Sequence, residues 1–150
     1  MYIPTGRQIP KYELRHVEEE NLDGVRDSIK LLLALRSANE KSLKINEKSF
    51  PSYAYLLNNL YAVPFHYAFT FEPLPYSNDM AHDVDSFVNI GFINRSSPIS
   101  LSQQGEEWLD VRFSNFSKVY DKIKKAPMET WVKLDNRALF NLIYTSIAKM

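Results

Sequence analysis

The chain has 150 residues, 45% of them hydrophobic, which is one globular domain's worth of sequence able to bury a real core. Its 18 basic and 18 acidic side chains cancel, yet by thirds they run nine against eight, one against four and eight against six, leaving an acidic middle without the basic excess usual in nucleic-acid binders. There is no cysteine for a disulfide or thiolate metal site, no apolar run near the ~20 residues that span a bilayer, and no signal-peptide core at the start, so a cytoplasmic protein without a membrane partner is expected.

In chain order, Pro4, Gly6 and Pro10 predict an extended arm over residues 1–10, and Tyr12 to Glu20 a short polar helix. Val25, Ile29, Leu32, Leu33 and Leu35 give an apolar stripe that predicts a helix from about Gly24 to Ala38, capped by Asp23 and with Asp27 in its first turn. Residues 39–49 read as a polar loop in which Leu43 and Ile45 alternate as in a short strand. Pro51 to Tyr61 is a second helix, with Tyr53, Leu56, Leu57 and Leu60 on one side and Pro51 in the first turn. Phe65, Tyr67, Phe69 and Phe71 then fall on alternate positions, the period of a half-buried strand, which Pro73 and Pro75 stop.

Ser77 is placed to cap a third helix from Asn78 to Asn89. Asp79 sits at its positive dipole end, Met80, Val84, Phe87 and Val88 share one face, and Gly91 closes it. Phe92 and Ile93, a turn from Asn94 to Pro98, and Ile99 to Leu101 predict a β-hairpin. From Ser102 a long helix is expected to about Lys125, since Leu109, Phe113, Phe116, Tyr120 and Ile123 are spaced four and three apart. Trp108, Leu109 and Phe116 are expected in the core. Ala126 and Pro127 break the helix, and Asp135 to Met150 forms the last one, with Leu139, Leu142, Ile143 and Ile147 apolar. Helix, small hairpin and helix in this order make the back half of a winged helix. The fold class expected is α+β, mostly helical: a winged-helix core with a short β-hairpin wing and long C-terminal helices, in a single domain over residues 1–150.

Phe69-Thr70-Phe71, Pro75-Tyr76-Ser77, the helix Met80 to Val88, Gly91-Phe92-Ile93 and Leu101-Ser102-Gln103-Gln104-Gly105 together resemble the YwgA-like winged-helix family and, more distantly, the Panacea (SocA-like) antitoxin domain. The strong part of the resemblance covers about a quarter of the chain. Leu74 stands where the family usually has glycine, and the second helix lacks the lysines typical of it. The resemblance implies a winged-helix fold and, for Panacea-like members, toxin neutralisation through protein contact, with no catalytic site.

Chemistry-bearing residues are sparse. His82-Asp83, with His66 and His16 elsewhere, are too few and too scattered to read as a metal centre, which needs several ligands converging on one cation. Ser28, Ser77 and Ser102 lack the glycine setting and histidine partner of a nucleophile, and four glycines form no phosphate-cradling loop. No enzyme activity, cofactor or metal is expected. Between Lys48 and Arg95 there is no lysine or arginine at all. The first functional reading is therefore a regulatory, antitoxin-like interaction protein whose partner is another protein or a second copy in a homodimer. Tyr67, Phe69, Phe71 and Tyr76 would bind the partner, edged by Asp79, Asp83 and Asp85. The second is a winged-helix DNA-binding regulator: Arg95 on the wing and the cluster Lys118, Lys122, Lys124 and Lys125 would contact phosphates, and Asn58 and Asn59 would read adenine edges.

Overall fold

A computed structural model describes residues 24–148. Those residues are mostly helical, with two small antiparallel hairpins. The expected arm, the polar helix Tyr12 to Glu20, the Asp23 cap, His16 and the end of the last helix at Met150 lie outside them.

Helix α1 (Asp27–Glu40) is the axis of the core. Leu31, Leu32, Leu33 and Leu35 are all fully buried, so apolar side chains cover most of its circumference rather than one stripe, as befits a helix enclosed by its neighbours. The loop after it, expected as a loop, presents Ile45, one of its two alternating apolar residues, which forms a single antiparallel bridge to Ile99. Helix α2 (Phe50–Tyr61) carries Pro51 in its first turn and ends at Ala62 in the left-handed conformation.

The strand expected from Phe65 to Phe71 is corrected to a two-residue piece, β1 (Thr70–Phe71), paired with β2 (Pro75–Tyr76) in the register Thr70 to Tyr76 and Phe71 to Pro75. The alternation upstream is real, but side chains rather than a neighbouring strand satisfy the backbone: Phe65 N–H donates to Asn58 Oδ1 at 3.0 Å and His66 N–H to Asp27 Oδ2 at 2.7 Å. Pro75, expected only to stop a strand, instead occupies one where its missing donor is tolerated.

Helix α3 (Asn78–Asn89) is capped by Ser77, whose Oγ accepts from Met80 N–H at 3.2 Å, and buries Met80 and Val84. Gly91 follows at φ +86°, a conformation that disfavours any side chain. The expected hairpin is present as β3 (Ile93–Asn94) and β4 (Ser100–Leu101). Ser102 caps the next helix through Gly105 N–H at 3.0 Å and donates its hydroxyl to Gly91 O at 2.6 Å, tying the two helix ends together.

The long helix Ser102 to Lys125 is corrected to two helices, α4 (Gln103–Arg112) and α5 (Ser117–Lys124), around a 3₁₀ turn at Phe113–Asn115. Ser114 and Asn115 are weak helix formers whose side chains compete for backbone groups, so the apolar spacing alone does not carry the helix through. Leu109 and Phe116 are buried as expected, while Trp108 is half-buried, tilted against Phe92 and stacked on Phe116. A short helix α6 (Met128–Trp131) precedes α7 (Asn136–Ile147), which Asp135 caps and which packs on α2 through Leu139 and Ile143. Ile147, expected on the apolar face, is exposed.

Candidate protein-binding surface

The aromatic segment before α3 is a run of edge and face contacts. Phe65 stacks on Tyr67 at 6.0 Å between centroids, Tyr67 meets Phe69 edge-on at 6.4 Å, and Tyr55 of α2 takes the edges of both Phe69 and Phe71 at 5.2 Å. Burial falls along it from Phe65, 7% exposed, to Phe71, 46% exposed. Tyr76 on the paired strand is likewise 46% exposed, so one small hairpin carries two open aromatic rings.

The three aspartates of α3 have three different situations. Asp79 lies exposed in the first turn, where the helix dipole favours it. Asp83 accepts a hydrogen bond from Tyr67 Oη at 2.6 Å and so fastens the aromatic segment to the helix. Asp85 binds Arg95 of the wing turn. The Arg95 guanidinium also donates through Nε to Glu47 Oε1 at 3.1 Å. First Asp85 and then Glu47 hold this guanidinium above its ordinary pKa, so it is a permanent cation with two carboxylates on it.

These groups surround a groove of about 670 Å³. Phe50, Met80, Val84 and Ile99 make its apolar floor, and Glu47, Lys48, Tyr76, Asp85 and Arg95 stand among its rim. Lys48 and Arg95, the two cations that bound the long stretch without lysine or arginine, therefore meet at one place.

The residues of the DNA reading lie apart. Asn58 and Asn59 are engaged inside the fold: Asn58 Nδ2 donates to Asn59 Oδ1, its Oδ1 holds Phe65 N–H, and Asn59 Nδ2 donates to Ser146 Oγ of α7, all at 3.0 Å. Lys122 Nζ donates to Ala62 O at 3.3 Å, and Lys124 lies 5.5 Å from the Tyr120 ring. Both sit in the last turn of α5, where cations complement the dipole. Lys118 and Lys125 are exposed, and none of the four lysines lines the groove that Arg95 lines. Adenine readout would thus call on side chains that already hold the fold, and the four lysines do not share the groove of the wing arginine.

No family model, curated protein or solved structure matches this chain.

Sequence reasoning missed a buried polar cluster under the aromatic segment. Asp27, at 3% exposure, holds His66 through both the backbone bond and Nδ1 at 3.3 Å, and Lys30, fully buried, lies 3.9 Å from the same carboxylate. Lys30 Nζ donates to Pro64 O at 2.5 Å. The available signal was Lys30 itself, a cation in the middle of an apolar run that leaves α1 little polar face on which to expose it. Among the described residues, no three histidine, aspartate or glutamate side chains converge as a metal site would require, and no helix is long and apolar enough to cross a membrane. His82 is exposed on α3, its carbonyl accepting from Ser86 Oγ at 3.1 Å.

Proposed function

We propose that this chain is a non-catalytic, cytoplasmic interaction protein that works through protein–protein contacts, regulatory and antitoxin-like as its resemblance to the Panacea and YwgA-like winged-helix proteins implies. One observation carries the reading: Phe71 and Tyr76 stand open on a single hairpin beside an apolar groove. Half-exposed aromatic rings next to a concave apolar surface are what protein interfaces use as anchors. The acidic α3 beside them steers a basic partner, acting mainly on the rate of encounter.

The DNA-regulator reading rests on Arg95 at the wing, and its charge is answered by Asp85 and Glu47. Duplex affinity comes mostly from uncompensated cations, so binding at physiological salt should be weak and should fall steeply as salt rises.

The test is a capture experiment from the native host with the unaltered chain and with the double change Phe71→Ser and Tyr76→Ser. A discrete protein retained by the first and lost by the second supports the interaction reading. A sequence-specific duplex shift at nanomolar concentration, with protein capture indifferent to the double change, overturns it in favour of the regulator.

A further inference from the structure

The Glu47, Asp85 and Arg95 arrangement has the form of a cation site that the chain fills with its own side chain. Glu47 comes from the loop before α2, Asp85 from the outward side of α3, and both carboxylates reach one guanidinium across the mouth of the groove. All three side chains are open to water, with Glu47 and Arg95 at 41% exposure and Asp85 at 55%. Ion pairs this exposed contribute about 0–1 kcal/mol. Exchanging Arg95 for another cation therefore costs little, whereas leaving the two carboxylates facing each other without one is unfavourable.

Resting on the protein-binding reading above, we infer that the groove seats a short basic–apolar segment of the partner and that Arg95 is an internal stand-in for that segment's arginine or lysine. An apolar side chain of the segment packs on Phe50, Met80, Val84 and Ile99. A neighbouring cation takes over Glu47 and Asp85 as Arg95 swings outward. Charge selects a cation over an anion here. The seat itself, two carboxylates on one guanidinium, is net negative and repels an incoming carboxylate, while Lys48 on the rim balances the groove as a whole, so the selection lies in the seat and not in the groove's net charge. Exposed Tyr76 on the rim adds a ring face of the kind that attracts ammonium and guanidinium groups.

The experiment pans a random dodecapeptide display library against the full chain and measures the enriched peptides, made synthetically, by calorimetry. The expected peptides carry lysine or arginine within a few residues of a bulky apolar side chain. Arg95→Ala should tighten their binding about two- to fivefold, because a competitor is removed, an effect the size of one exposed ion pair. Glu47→Gln together with Asp85→Asn should weaken it about tenfold. Ala81→Trp, which fills the groove, should abolish it. Should Ala81→Trp not fold, the Arg95 and carboxylate variants alter only exposed side chains and still decide the matter. Weaker binding on Arg95→Ala, enrichment of acidic peptides, or peptides indifferent to both carboxylates would overturn the inference. Loss of the host partner on changing Phe71 and Tyr76, with peptides ignoring the groove, sinks the groove alone. Tightening by Arg95→Ala, with host capture indifferent to the hairpin rings, sinks the reading of the hairpin edge instead.

Discussion

The two hairpins have ladders of the same size and opposite surroundings. In β3–β4 the side chains of Ile93 and Leu101 are 2% and 4% exposed, Ile99 beside them bridges to Ile45, and Ser102 N–H bonds Phe92 O at 2.9 Å. Gly105 lies so close beneath that a Cβ there would come within 2.6 Å of both Leu101 Cδ1 and Phe92 O. In β1–β2 Thr70, Phe71 and Tyr76 are exposed and only Pro75 is buried. A lone two-stranded hairpin is marginal in water, so each needs support from elsewhere. The wing draws its support from the core. The aromatic hairpin rests on the Tyr55 ring and a weak 3.4 Å bond from Thr70 Oγ1 to Tyr76 O, which leaves its outer rings open. Equal backbone pairing thus serves a structural joint in one case and a presenting surface in the other.

The largest effect that would sharpen this contrast lies where the wing's helix meets the core. Phe116→Ala should cost about 3–5 kcal/mol in denaturant unfolding, as an aromatic deletion at a buried site does. A loss under about 1 kcal/mol would mean that the stack with Trp108 is not the support described. Leu101→Ala should cost about 2–5 kcal/mol, against under about 1 kcal/mol for Phe71→Ala, measured the same way. Equal costs for the two would erase the distinction between the hairpins. Ser102→Ala removes a cap and should cost about 0.5–2 kcal/mol. Smallest of all, Asp85→Asn breaks an exposed pair and should shift stability by about 0–1 kcal/mol, a shift that shrinks with added salt. A much larger loss would make Arg95 a structural strut rather than a displaceable group.

Local signals in the sequence carried α3, its Ser77 cap, the glycine at its end, the wing and the Ser102 start of α4, because each depends on residues within a few positions of one another. The break at Phe113–Asn115 was not legible, since the apolar spacing continues across it and only Ser114 and Asn115 oppose a helix. The pairing of Pro75 with Phe71 was hidden for a similar reason: proline signals a stop more strongly than it signals an edge strand. Of the candidate surface, the open rings of Phe71 and Tyr76 could be named in advance but not told apart from half-buried Tyr67 and Phe69. The meeting of Glu47, Asp85 and Arg95 requires three elements to fold together and leaves no mark in spacing.

The turn between α4 and α5 carries a lesson for anyone seeking to stabilise this protein. In a straight helix, residues eight apart are separated by about 12 Å along the axis. Trp108 and Phe116 nevertheless stack with centroids 6.3 Å apart, so the chain must shorten and bend between them. The usual recipe of replacing exposed Ser114 and Asn115 with alanine would strengthen the wrong conformer, a continuous rod that pulls those two rings apart. Here raised helix propensity becomes frustration, and the poor helix formers are the ones to keep.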